Sequence, residues 1–204
     1  MNRRELLQQV AYLMGGAVSA PTLLGLMSGC SAKQSAPGWK PAFLSEEQGA
    51  LVSEVAEMMI PRTDTPGAKD VGVPEFIDKL LNDVYDKEAQ QRYLNGIDAF
   101  EKASKDQFGK TFMKLDSPQR LQLVQKFHDE AVQRERADTE PNRAARRPFI
   151  LMTKEMTLLG FFTSQVGATQ VLQYDPVPGK WQACIPLSKA GNGHSWAPEG
   201  PPRF

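Results

Sequence analysis

The chain has 204 residues, with 24 lysines and arginines against 24 aspartates and glutamates, for a formal net charge of +0. That length fits one domain with a buried core, and the charge balance excludes the basic surface on which nucleic-acid binding depends. Two cysteines, Cys30 and Cys184, are too few for a disulfide-stapled scaffold or for an iron–sulfur cluster held by several thiolates.

In chain order, the first segment carries Arg3-Arg4, then no charged residue from 6 to 32. A basic start, a mildly apolar stretch and small residues before a cut describe a signal peptide over residues 1–30. The competing reading is a permanent membrane helix, which Gly15, Gly16, Pro21 and Gly25 weaken as poor helix formers. Arg3-Arg4 followed by Glu5-Leu6-Leu7 resembles a bacterial twin-arginine signal, with Asn2 where Ser or Thr is usual. "LMSGC" resembles a lipobox ending in Cys30, the alternative being an ordinary signal that contains a cysteine. If Cys30 is lipidated, Cys184 stands alone, and a lone cysteine is most often a small buried hydrophobe.

Residues 31–44 are small, polar and Pro-containing, and read as a linker. The domain is expected over 45–204. Its first helix has Ser45 as N-cap, Gln48 three residues on, and Pro61 as the stop. Leu51, Val55, Met58 and Met59 recur at helical spacing and are expected in the core. Residues 61–76 form a turn-rich loop, in which Asp64 reads as a turn former bonding nearby amides. A second helix starts at Pro74, with Phe76, Ile77, Leu80, Leu81 and Val84 on its apolar face. A third runs over 87–107 with Tyr93, Leu94, Ile97 and Phe100. A fourth is capped by Asp116 or Ser117 with Pro118 in its first turn, and Leu121, Val124, Phe127 and Val132 are expected to be buried. The stretch 146–163 is the most apolar helix, with one charge pair, Lys154 and Glu155. It is expected at the centre of the core, being too short and too charged midway to span a membrane. The predicted fold class is all-α, with an irregular C-terminal arm rich in Pro, Gly and aromatics from about residue 164.

Chemistry is sparse. His128 and His194 have no HExxH or CxxC companion. His128-Asp129-Glu130 reads as a solvated helix face. No G-x-G-x-x-G, P-loop, G-x-S-x-G or C-x-x-C-H is present. Carboxylates on amphipathic helices are usually solvent faces. No catalytic, cofactor-binding or metal-binding residue is therefore expected in this chain. A signal of the kind used for folded cargo, on a chain without its own chemistry, points to a passenger: a partner that folds around a cofactor.

Three stretches carry a resemblance: "IPRTDTPGAKDVGVPEFID" (60–78), "LLGFFTSQVGATQVLQYDPVPGKWQACIPL" (158–187) and "GHSWA" (193–197). Together with the twin-arginine start they resemble the gluconate 2-dehydrogenase subunit 3 family, the small subunits of bacterial membrane-associated flavin dehydrogenases. That resemblance implies a large partner of the glucose-methanol-choline type carrying FAD, and often a third, multihaem cytochrome c subunit with haem c. It implies oxidation of a sugar, sugar acid or polyol on the large subunit, at the periplasmic face of a bacterial membrane. The small subunit supplies the export signal and stabilises its partner. The membrane attachment through Cys30 rests on this sequence alone. The residues expected at the partner interface are Phe161, Phe162, Tyr174, Asp175, Pro176, Trp181 and Trp196, because exposed aromatics are enriched at interfaces; packing of Phe161 and Phe162 on their own helices is the alternative. A stand-alone periplasmic lipoprotein that binds a ligand or is itself an enzyme, and a structural envelope lipoprotein, are the competing functions.

Overall fold

A computed structural model describes residues 39–139, 146–174, 184–189 and 194–195. These form an all-α domain, with five α-helices and no strand among the described residues. Helix α1 spans Glu46–Met59. Its start is a closed capping box: Gln48 N donates to Ser45 Oγ (3.1 Å) and Ser45 N donates to Gln48 Oε1 (3.0 Å). Leu51, Val52, Val55 and Ala56 are its buried stripe, while Met58 and Met59 pack only partly against the core.

Helix α2, Val73–Asp83, follows Gly72, whose φ of 77° is the left-handed turn that only glycine takes without strain. Pro74 occupies the first turn as expected. The expected apolar face needs one correction. Val84 is 71% exposed, because α2 ends at Asp83 and Val84 lies beyond it as the C-cap, off the buried stripe.

Helix α3, Lys87–Phe108, is capped by Asp86 and closed by Gly109 at φ 68°. Its buried residues Tyr93, Ile97, Phe100 and Ser104 recur every three or four positions. After a 3-10 turn at Phe112–Lys114, helix α4 covers Ser117–Ala137 with a second capping box, Asp116 with Gln119. Here too the expected face shifts. Leu123, Val124 and Ala131 are buried and Phe127 partly so, whereas Leu121 is 56% exposed. Leu121 lies two residues before Leu123, about 200° round the helix. α4 carries few apolar residues, so its period left the face ambiguous.

Helix α5, Phe149–Phe162, is the hub predicted for the centre: α1, α2, α3 and α4 all pack on it. Phe149 sits in an edge-to-face aromatic cluster, 5.7 Å from Tyr93 and 5.5 Å from Phe100, which in turn meets Phe112 at 5.1 Å and Phe127 at 4.9 Å. The one hydroxyl relay in the described core is satisfied. Tyr93 donates to Thr153 Oγ1 (2.7 Å), and Thr153 donates to Phe149 O (2.8 Å). Burial pushes the Tyr93 phenol well above its ordinary range. No helix among the described residues is long and apolar enough to cross a membrane. The chain leaves α5 through a π-helical turn, Gly167–Val171, and a 3-10 turn, Leu187–Lys189, is described farther on; most of the arm expected from about residue 164 lies outside the described residues.

Candidate partner-docking surface

The first resemblance stretch, 60–78, is held down by charge and by one buried carboxylate. Glu54 of α1 pairs with Lys69 of the loop and with Arg120 of α4 (2.7 Å). Burial opposes the Glu54 charge, but Lys69 and Arg120 outweigh it and hold the carboxyl below its ordinary value. Glu57 accepts the backbone N–H groups of Arg62 (3.1 Å) and Lys69 (2.8 Å). Arg62 pairs with Asp70 and lowers that carboxyl's pKa, and Asp70 also accepts from Gly67 N (2.9 Å). Asp64 is exposed and makes no hydrogen bond or ion pair among the described residues. The turn it was expected to hold is closed by Thr63 N to Thr65 O (3.0 Å) instead.

Asp78, on the buried face of α2, accepts three backbone N–H groups: Ala42 (2.7 Å), Phe43 (3.1 Å) and Leu44 (2.9 Å). The last residues of the stretch read as a linker are thereby seated on the domain, with Leu44 buried. Sequence reasoning passed over Asp78. The signal was there: an acid between Ile77 and Leu81 on the apolar side of a helix has to be paired.

The second stretch, 158–187, begins at the end of α5. Phe161 is buried at 2% exposure, stacked edge-on to Phe162 at 5.3 Å, and Phe162 is half-buried. The expectation that Phe161 faces a partner is corrected: its ring belongs to this chain's own core. Gln173 N donates to Ser195 O (2.8 Å) and His194 Nδ1 donates to Val171 O (3.1 Å), so described residues 194–195 lie along the exit of the π turn. Tyr174 stands next to them, 59% exposed. Of the other expected interface residues, Asp175, Pro176, Trp181 and Trp196 lie outside the described residues, as do Arg3, Arg4 and Cys30.

Among the described residues no group of three or more His, Cys, Asp and Glu side chains could hold a metal ion. His128 differs from the solvated residue expected. Its Nε2 accepts from Lys154 Nζ of α5 (3.0 Å) and its Nδ1 lies 3.3 Å from Asp129. Cys184 is exposed, where a buried hydrophobe was expected. Arg147 forms a charged cluster that no local pattern announces, bridging Glu135 of α4 (2.9 Å) and Glu155 of α5. Burial opposes its charge, but Glu155 and Glu135 outweigh that and raise its pKa.

The described surface thus offers grooves and half-covered apolar side chains beside α5, and an exposed tyrosine at its end, rather than convergent reactive groups. The third resemblance stretch, 193–197, and the start of the chain fall outside the family match described next. Neither a curated protein nor a solved structure matches the chain. A protein family does: residues 46–179 match gluconate 2-dehydrogenase subunit 3, over well more than half of the chain and including all five helices. The chain belongs to the gluconate 2-dehydrogenase subunit 3 family.

Proposed function

We propose that this chain is the non-catalytic small subunit of a flavin-dependent dehydrogenase complex that oxidises a sugar or sugar acid. The observation that carries the reading is the family match over residues 46–179. In this reading the large subunit, of the glucose-methanol-choline type, binds FAD and performs the oxidation, and a cytochrome c subunit is the electron exit where one is present. The small subunit contributes export and stability. Arg3 and Arg4 direct the folded pair through the twin-arginine route, and Cys30 takes the lipid that holds it at the periplasmic face of the membrane. One acyl chain binds a membrane only marginally, so a firm anchor needs several. Tyr174 and the aromatic arm behind it supply contact to the large subunit, as exposed rings of this kind do at interfaces.

The export role is tested by changing Arg3 and Arg4 to lysine and fractionating cells that express both subunits. The large subunit is expected to accumulate in the cytoplasm. Normal periplasmic recovery of the large subunit in that variant would remove the escort role.

A further inference from the structure

α5 reads FILMTKEMTLLGFF, apolar all round but for Lys154 and Glu155, and a helix of that kind is normally enclosed. Four helices pack on it, yet Leu158, Leu159 and Phe162 stay half-buried. Beside Leu158 runs a groove of about 280 Å³ between α4 and α5, floored by Val132, Leu151 and Leu158. A neighbouring cavity of about 300 Å³ shares the Arg147–Glu155 pair with it and reaches Met152 and the exposed Val84. The two make one grooved face around the first turns of α5.

The charges lining the α4–α5 groove are unequal, whereas the neighbouring cavity adds Asp86 and Glu88 against Arg92. Arg136, Arg147 and Lys154 line the groove against Glu135 and Glu155. Both carboxylates are engaged by Arg147. Lys154 Nζ meets His128 Nε2 at 3.0 Å and has no carboxylate partner among the described residues. Arg136 is exposed and has no carboxylate partner among the described residues. Arg147 is one charge between two carboxylates, so Arg136 and Lys154 leave the groove with one net positive charge. An apolar floor under that charge is complementary to a segment that offers an apolar side chain and a single carboxylate together.

We infer that this α4–α5 groove receives an acidic, apolar segment of the larger dehydrogenase subunit, with Arg136 and Lys154 pairing its carboxylate. The inference rests on the reading of the chain as a dehydrogenase subunit, and it adds a second contact surface to the Tyr174 end. A second copy of this chain fits poorly. A two-fold contact through the same patch would bring the cationic rims of both copies together.

The test uses the full complex. A photo-crosslinking residue is placed at position 158, which lines the groove and leaves Arg136 and Lys154 in place, and the products after irradiation are separated by mass. A covalent adduct with the large subunit is the expected result. An adduct of two copies of this chain, or a link within one chain, overturns the inference, as does the absence of any adduct while the complex stays intact. In parallel, Arg136→Glu and Lys154→Met are expected to lower recovery of the large subunit on the tagged small subunit at least tenfold. Arg136→Lys is expected to restore it, and the thermal melt of each isolated variant should match wild type. Equal recovery with Arg136→Glu overturns the inference alone. Failure of the wild-type chain to recover a large subunit overturns the subunit reading itself.

Discussion

Replacing Asp78 with alanine probes the joint between the N-terminal segment and the helical domain. The Asp78 carboxylate is buried at 2% exposure and accepts from three successive amides, at 2.7, 3.1 and 2.9 Å. A hydrogen bond to a charged group contributes about 1.5–3 kcal/mol. The three are not additive, because Ala42 is exposed and its amide regains water, whereas the Leu44 amide is buried and does not. The loss expected for Asp78→Ala is therefore about 3–5 kcal/mol, a large fraction of a typical domain stability of about 5–15 kcal/mol. At about 2–4 °C per kcal/mol for a domain of this size, that is a fall in Tm on the order of 10 °C. Asp78→Asn is milder, about 2 kcal/mol. Its single oxygen can still serve Phe43 and Leu44, while its amide then faces the Ala42 N–H. Thermal and urea denaturation followed by circular dichroism measures both, and limited proteolysis reports whether residues 39–44 come loose first. An alanine variant within about 1 kcal/mol of wild type would refute the reasoning.

Gly96→Ala is expected to destabilise by about 1–2 kcal/mol in urea denaturation, since overpacking costs more than the gain in helix propensity. A Cβ there would sit 2.5 Å from Phe149 Cβ across the α3–α5 packing, and that atom is too near the backbone to yield. A stability equal to wild type would contradict the close approach. The Glu54 network gives a pH signature. The folded carboxyl is held below its ordinary value of 4.5, so its contribution is full above that pH and is lost as pH falls through the lower folded value. Wild type should exceed Glu54→Gln by about 1 kcal/mol at pH 7 and lose that advantage on acidification below about pH 4.5; a difference that grows on acidification would reverse the sign of the argument. Tyr174→Ala should leave the Tm within about 2 °C of wild type, because its ring is mostly exposed. The same change should weaken recovery of the large subunit, and an unaltered complex would remove Tyr174 from the interface.

The local devices were legible in the sequence because each is written within a few residues. Ser45 with Gln48, Asp116 with Gln119 and Pro118, and Gly72 with Pro74 all close helix ends as their spacing predicts. α5 was legible as the hub because 12 of its 14 residues are uncharged, which only a core position tolerates in a water-facing domain. What stayed hidden depends on distant parts of the chain. Asp78 meets residues 34 to 36 positions away, and His128 meets Lys154 across 26. Arg147 gathers carboxylates from two helices that only the fold brings together. Phe161 and Phe162 are adjacent and chemically identical, so the sequence could not say which ring turns inward; in the fold Phe161 joins the core and Phe162 packs only partly against it. Leu121 and Val84 misled for a local reason, since an apolar residue at the margin of a stripe or one step past a helix end is placed by the backbone, not by its hydropathy.

A chain that works as a subunit is recovered with its partner. A native pull-down tests it most directly: tag the C-terminus, solubilise the membranes gently, and record the companion bands and the visible spectrum. One large dehydrogenase subunit is expected in stoichiometric amount with a flavin spectrum, joined by haem bands where a cytochrome is part of the complex. A colourless chain recovered alone, from cells shown to express the large subunit, would contradict the subunit reading.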